Sequence, residues 1–503
     1  MAQKSETIFK YVLIHYRWVF VCLFLLPISF LFDMWLFCRN YIVFKLNSAP
    51  SQHDAKVKNV QRQILRWNKI KGKKPQLCTA RPGWQTMSFR QGIYKETFEK
   101  IEVNLVDILQ INSKKKSVYV EPLVNMGQLT AMLNPLGWTI PVLPELDDLT
   151  VGGLVMGTGI ESSSHIHGLF QHNCLSYEIV LADGSIIKCS ADENTDLFYG
   201  IPWSYGTLGI LTGVELKLIP AKKYLELTYV PFKSSEDMAK YLRKTVENKI
   251  NEFVEVLVFN KSESVVMIGK QTDKIDTDNF NPIGRWYKPW FFKHVQDMLN
   301  QKSHVTECAP LRDYYHRHSR SIFWELQDII PFGNNFFFRL FLGWLVPPKI
   351  SLLKLTQSET TKELYENNHI IQDMLIPLSF LNESISFFEK QVGVYPLWVC
   401  PFKLPNNPGF LHPTKSNFEM YVDIGIYGVP KVNNFKPRET TRKIEKFVTE
   451  RNGFQMLYAD TYMTREEFRQ MFDHNLYDKL RKLYKCEEAF PEVYDKVCKE
   501  ARK

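Results

Sequence analysis

The sequence predicts an α+β protein in which two domains follow one N-terminal membrane-spanning helix. Three observations carry this reading: an apolar run near the N-terminus, interleaved strand-period and helix-period patterns over the rest, and a glycine-rich stretch among strands of the first half. A chain of 503 residues and 59.1 kDa exceeds what one ordinary core accommodates, so two or three domains are expected. Hydrophobic residues at 45% and charged residues at 23% exclude wholesale disorder, a fibrous rod and a polytopic transporter. The excess of 63 basic over 54 acidic residues leaves +9, which suits a membrane surface, a phosphate-bearing ligand or nucleic acid alike.

The first element is the apolar run Trp18 to Cys38, 21 residues whose only charge is Asp33. As a helix it spans roughly 31 Å, against about 30 Å of hydrocarbon. Trp18, Trp35 and Tyr41 fall near its ends, where indole and phenol rings favour the interface, and Asp33 lies near one end, where its cost falls below the midplane value. The alternative is a cleaved signal peptide, but no small-x-small site follows the run. Lys4, Lys10 and Arg17 flank one side and Arg39, Lys45, Lys56 and Lys58 the other, which favours a single-pass anchor with its C-terminal bulk in the cytoplasm.

After Pro50, Val57, Val60, Ile64 and Trp67 recur at helical spacing, predicting an amphipathic helix that ends at Gly72. Strand patterns follow around Ile101 to Leu105, Ile108 to Ile111 and Val118 to Val120. A short helix is expected over Met126 to Leu133, stopped by Pro135 and Gly137. Glu178 to Cys189 reads as a hairpin turning at Asp183-Gly184. Ile210 to Ile219 is an apolar strand closed by Pro220. Tyr224 opens a second run of strand and helix signals, in which Lys270 to Asn281 reads as a loop. The nine cysteines are scattered without a C-x-x-C pair or Cys/His cluster. They read as free thiols facing a reducing compartment, with no metal site expected.

The most informative stretch runs from Thr150 to Gly168. Glycines 152, 153, 157 and 159, then three serines, make a loop able to bring backbone N–H groups and hydroxyls against a diphosphate. It is neither a Rossmann fingerprint, since Ser162 stands where glycine is required, nor a P-loop, since the lysine is absent. The alternative is a glycine-rich bend between strands.

The ordered blocks Arg81-Pro82-Gly83-Trp84, Pro144-Glu145, Thr150-Val151-Gly152-Gly153, Gly157-Thr158-Gly159, Gly168, Leu181-Ala182-Asp183-Gly184, Asp196-Leu197-Phe198 and Gly206-Thr207-Leu208-Gly209-Ile210 resemble the FAD-binding domain of the vanillyl-alcohol-oxidase/p-cresol-methylhydroxylase superfamily. Beyond them, RWVFVCLFLLP, YYHRHSRSIFWELQDIIPFGNN, VPPKISLLKLTQ and GFQMLYADTYMTREEF resemble its delta-24-sterol reductase family, from Tyr11 to the C-terminus. The resemblance implies a two-subdomain FAD-binding domain over residues 46–222 and an α+β cap domain over 223–503, after the anchor segment 1–45. It implies that Arg81, Pro82, Gly83 and Trp84 form the first pyrophosphate loop. Thr150, Val151, Gly152, Gly153, Leu154, Val155, Met156, Gly157, Thr158, Gly159, Ile160, Glu161, Ser162, Ser163 and His165 would form the main FAD loop, and Gly206, Thr207, Leu208 and Gly209 would contact the flavin's far side. Many members of the superfamily carry a flavin-linked histidine in the first loop. Here Pro82-Gly83-Trp84 stands there, so non-covalent FAD is expected, with His165 and His167 as alternative attachment points.

The resemblance further implies reduction of the side-chain delta-24 double bond of desmosterol-like sterols with NADPH at the endoplasmic reticulum. The charge then matches anionic lipid and dinucleotide phosphates, and no nucleic-acid partner is expected. An isolated alkene has no carbonyl to accept charge, so protonation of its less substituted carbon must accompany hydride delivery to the other. Candidate acids are Tyr458, His316 and Glu325, each of which is otherwise a packing residue. Tyr458 to Tyr462 alternates polar groups on one face if it is a strand. No second nucleotide motif marks an NADPH site, so transient binding at the open face of FAD is expected. Trp286 to Phe292 and Phe336 to Leu345 are too short to span a bilayer and suit an interfacial patch; the alternative is burial in the core or in a homo-oligomer interface. A membrane-anchored flavin oxidase of an alcohol or sugar on the same fold is the alternative reading of the whole chain.

Overall fold

The computed structural model describes residues 16–86, 92–248, 250–357, 359–415, 417–433, 435–499 and 501. Lys4 and Lys10, used above for orientation, lie outside them. The architecture is built on two antiparallel sheets. The first has five strands in the order Ile108–Asn112, Ser117–Val120, Ile210–Lys217, Cys174–Val180 and Ile186–Ser190. The hairpin turns at Gly184, whose φ of +85° suits glycine, and Asp183 Oδ1 accepts from Ser185 N at 2.8 Å. The amphipathic helix is observed over Ala49–Asn68, burying Val57, Val60, Ile64 and Trp67.

That helix also brings His53 between two acids of this sheet: Nδ1 lies 3.0 Å from Glu121 Oε1 and Nε2 3.2 Å from Glu178 Oε1. Burial opposes protonation of His53, but the two carboxylates outweigh it and raise its pKa to about 9. A histidine held above its unfolded value stabilises fully below pH ~6.5, and this stability is lost as pH rises through about 9. His53→Gln is therefore expected to cost about 2 to 3 kcal/mol at pH 6 and little at pH 10, read from melts of both proteins at the two pH values.

The second sheet has eight strands, in the order Val305–Pro310, Tyr224–Phe232, Ser264–Thr272, Phe253–Val258, Leu397–Pro405, Phe418–Gly428, Ile370–Pro377 and Phe454–Gln455. Alternation gives it two unlike faces. Val254, Val256, Val399, Ile424 and Met374 belong to the apolar face. The opposite face carries Glu255, Trp398, Cys400, Asp423, Tyr427 and Asp373, as the pairings Leu257↔Trp398, Cys400↔Asp423 and Asp373↔Gly425 require. Phe253–Val258 and Leu397–Pro405 pair only at three positions and then part. The chain after the glycine stretch enters there, Val254 N donating to Ser162 O at 2.8 Å. The glycine stretch is thereby clamped into the second sheet.

One part adds to the sequence reading and one differs from it. The C-terminal stretch, counted there with the second domain, braces the first: Tyr477 OH lies 2.6 Å from Thr207 Oγ1, and Arg481 donates to Thr207 O at 2.9 Å. The apolar helix runs over Arg17–Lys45, 29 residues, longer than expected. Asp33 is therefore central, and its carboxylate lies 2.5 Å from Lys349 Nζ instead of near one end of the span. All nine cysteines are free, and seven of them are buried.

Candidate active site

The first loop bends at Arg81 and enters a short 3-10 turn over Gly83–Gln85. Two lysines pin its carbonyls: Lys95 Nζ donates to Arg81 O at 2.5 Å and Lys354 Nζ to Thr86 O at 2.8 Å. The main stretch opens as a helix over Val151–Met156, because Thr150 caps it and Val151, Leu154 and Val155 are buried. Gly152 is required by close approach: its N–H donates to Pro122 O at 2.7 Å, and a Cβ there would stand 2.7 Å from Pro122 Cβ. Arg81 reaches Thr150 Oγ1 at 3.5 Å, joining the two loops.

A cavity of about 610 Å³ opens between them. Arg81, Trp84, Asn125, Asp148, Thr150 and Lys349 line one side; Ile28, Phe32 and Leu36 of the N-terminal helix line another. Burial lowers the Arg81 pKa, and among the described residues no carboxylate lies within ion-pair distance of its guanidinium. A desolvated cation that no carboxylate pairs at close range, Asp148 acting on it only through its charge, fits a diphosphate. The residues present therefore fit FAD, with Arg81, Trp84 and Thr150 placed to hold it.

Where the polar face of the second sheet meets the glycine stretch, Arg317 is buried between two carboxylates. Its Nη2 lies 2.6 Å from Glu161 Oε1 and 2.7 Å from Glu255 Oε2, and its Nε 2.6 Å from Glu255 Oε1. Trp398 Nε1 donates to Glu255 Oε2 at 2.8 Å, and Tyr314 OH to Ser162 Oγ at 3.0 Å. Burial opposes ionisation of Glu255, but Arg317 and His318 hold its carboxyl far below the usual range.

Beside this ion cluster lies an acidic one. Asp373 accepts from Tyr427 and Tyr458, and burial pushes its pKa up to about 6. Asp423 is fully buried and neither of its oxygens has a side-chain partner among the described residues. Burial, then Asp373 and Glu145, push its pKa well above the usual carboxylate range. Glu145 is raised in the same way by burial and by Glu161. Burial and the neighbouring carboxylates thus favour the protonated form of both Asp423 and Glu145. Tyr458 alone of Tyr427, Asp373, Asp423 and itself retains appreciable exposure.

Of the three candidate acids, the structure places only Tyr458 in this cluster. It sits in a turn rather than a strand, with only Thr461 bridging to Cys498. His316 ties the first domain to the second: Nε2 lies 2.7 Å from Thr130 Oγ1 and Nδ1 2.5 Å from Asp147 Oδ1. Glu325 is buried against His369 Nε2 at 2.9 Å, and burial raises its pKa. The ring nitrogens of His165 lie 3.0 Å from Ser162 O and 2.8 Å from Asn251 O, and burial lowers its pKa. His167 is pushed down to about 4, mainly by burial. Gly206, at φ +70°, opens the loop braced by the C-terminal stretch. Sequence reasoning missed Glu255, Asp373 and Asp423 as site residues. A lone acid in each of the apolar strands FVEVLV, IIQDMLIP and YVDIGIYG was the signal that could have found them.

Two loops joined through Arg81 and Thr150 at one cavity fit an FAD-dependent oxidoreductase. A family of FAD binding domains matches residues 63–190. The chain is 56% identical over 493 residues to the Delta(24)-sterol reductase of Mus musculus, covering 98% of this chain and 95% of that protein. It is 38% identical over 524 residues to that of Arabidopsis thaliana, covering 96% and 91%. Similarity to the L-gulonolactone oxidase of Mus musculus is 28% over 166 residues, only 32% of this chain. The chain belongs to the delta(24)-sterol reductase family.

Proposed function

We propose that this enzyme reduces the side-chain delta-24 double bond of desmosterol-like sterol intermediates with NADPH, in sterol biosynthesis, at the endoplasmic reticulum with its catalytic part on the cytoplasmic side. The observation that carries the reading is the proton-bearing cluster around Asp373 and Tyr458, because an isolated alkene requires an acid that an alcohol oxidase does not. FAD, bound non-covalently with Arg81, Trp84 and Thr150 placed to hold it and once reduced by NADPH, would supply the hydride. Tyr458 donates a proton to the less substituted alkene carbon. The positive charge that develops on the other carbon is met by aromatic faces: Phe323 and Trp324 stand 5.1 and 5.6 Å from the Tyr427 ring. His316 positions the loop carrying Asp147 rather than moving protons.

The domain limits are proposed as FAD binding over 46–222 and cap over 223–503, with the C-terminal stretch of the cap reaching back to the Gly206 to Gly209 loop. Non-covalent attachment is supported by His165, whose ring nitrogens both face backbone carbonyls. Acid precipitation is expected to release all the flavin into the supernatant. Anaerobic addition of NADPH is expected to bleach the flavin, and desmosterol to restore its colour. Bleaching by an alcohol, with recovery only in oxygen, would establish the oxidase instead.

A further inference from the structure

We infer that the N-terminal helix lies flat on the bilayer surface, docked along the catalytic body, and does not cross the membrane. The body takes up one side of this helix: Cys22, Leu25, Ser29, Asp33, Leu36 and Asn40 recur at helical period among its buried or half-buried positions, with Val21 and Leu26 fully buried beside them. Every polar group on the stripe that falls within the apolar run serves the body. Ser29 Oγ accepts from Lys349 N at 2.8 Å, and Asp33 shares Lys349 Nζ with Asp148 at 2.5 Å each. The contacts run nearly end to end, from Arg17 Nη2 donating to Leu353 O at 3.4 Å to Arg39 Nη2 paired with Asp107 Oδ2 at 3.0 Å. A helix crossing the bilayer with these contacts intact would carry Lys349, Asp148 and Asp107 into hydrocarbon, which their charges forbid.

The outward side of the same helix is apolar: Leu23 is 64% exposed, Leu31 56% and Trp35 60%, and no charged side chain faces out between Phe20 and Cys38. A second element continues that surface. Phe337 and Phe341, each 67% exposed, project from the short helix Phe336–Leu342, and Trp344 just beyond it meets Phe30 edge-on at 5.0 Å. An apolar plane built from two remote segments, with all its polar atoms turned inward, matches an acyl-chain boundary. A second protein copy is disfavoured, because protein interfaces ring such a surface with hydrogen-bonding groups. The inference rests on the proposed sterol substrate for its use: Ile28, Phe32 and Leu36 both belong to this helix and line the 610 Å³ cavity. A lipid lying in the same plane thus meets, beneath the helix, the mouth of the cavity whose polar side fits FAD.

The test places an N-glycosylation acceptor before Met1 or after Lys503 of the full chain, expressed into microsomal membranes. A helix lying flat keeps both ends on one side, so the two tags are expected to give the same result. Glycosylation of one tag and not the other would overturn the inference. As a second measurement, variants Leu23→Cys, Leu31→Cys and Phe37→Cys in a background lacking Cys22 and Cys38, where the seven remaining cysteines are buried, would each carry a fluorescent dye on the introduced thiol in vesicles of brominated phosphatidylcholine. Equal quenching depth at all three supports the flat helix; depth passing through a maximum at Leu31 overturns it. Flavin content reports whether each variant is folded. Recovery of the full chain in the supernatant after sedimenting the membranes would instead remove the membrane reading itself.

Discussion

Arg317→Met is expected to lower stability by about 3 to 5 kcal/mol, the range for breaking a buried ion pair on one side only. The arginine is the sole cation bonded to both Glu161 and Glu255 among the described residues. Its loss leaves two buried carboxylates facing each other across the seam between the glycine stretch and the second sheet. A fall in Tm of about 5 to 10 °C, with loss of flavin on gel filtration, is the expected reading. The pH dependence carries the mechanism. In the native protein the Glu255 carboxyl is held far below its unfolded value, so its stability is present above the unfolded pKa of about 4 and lost only in strong acid. Without Arg317, only His318 and the Trp398 hydrogen bond are left to oppose burial, and the folded pKa of Glu255 rises. The variant should therefore gain stability relative to wild type as pH falls from 8 to 5. Adding Glu161→Gln and Glu255→Gln should restore part of the loss, because neutral amides bury at lower cost than unpaired charges. A variant equally unstable at both pH values, and not rescued by the amides, would show that packing and not charge is at stake.

Local chemistry explains which parts of this molecule the sequence discloses. The helix Ala49–Asn68 announces itself through Val57, Val60, Ile64 and Trp67, and the first-sheet hairpin through Asp183-Gly184, because each pattern resides in consecutive residues. The glycine stretch was legible as a site, but its opening helix was not. Glycines at 152 and 153 argue against a helix, and only the Thr150 cap and the approach of Pro122 outweigh them. The ion and acid clusters draw on residues 145, 161, 255, 317, 373, 423 and 458, which no short window contains. Arg317 stands next to the candidate acid His316, and nothing in its spacing marks it as the buried cation of the cluster. The sheet order that sets Asp373 beside Asp423 is non-local and leaves no trace in spacing. The apolar run was read from its length, its terminal aromatics and its flanking charges, and none of these reports that Ser29, Asp33 and Asn40 meet the body on one face.

Tyr458→Phe is expected to slow alkene reduction by about 10²- to 10⁴-fold, the contribution of a positioned general acid, while flavin content and the rate of flavin reduction by NADPH stay unchanged. The acidic cluster predicts how the rate varies with pH. When Asp373 is ionised it accepts hydrogen bonds from both Tyr427 and Tyr458, so the Tyr458 proton points away from the alkene. When Asp373 is protonated it donates one of those bonds instead, which frees the Tyr458 proton for the substrate and supplies its replacement. Burial raises the Asp373 pKa to about 6, so the productive form dominates below that value and is lost as pH rises through it. The single-turnover rate of alkene reduction should accordingly fall above about pH 6, with the flavin-reduction step lacking this limb. Asp373→Asn keeps a donor and an acceptor but cannot titrate. It should flatten the profile and lower the rate at pH 6, since the relay then has no proton to replace the one Tyr458 gives up. Full activity in Tyr458→Phe with the limb intact would exclude Tyr458 and leave the adjacent buried carboxyl of Asp423, whose pKa burial raises, as the donor. Loss of the limb in Asp373→Asn, with Tyr458→Phe slow at every pH, would establish the two residues as one relay.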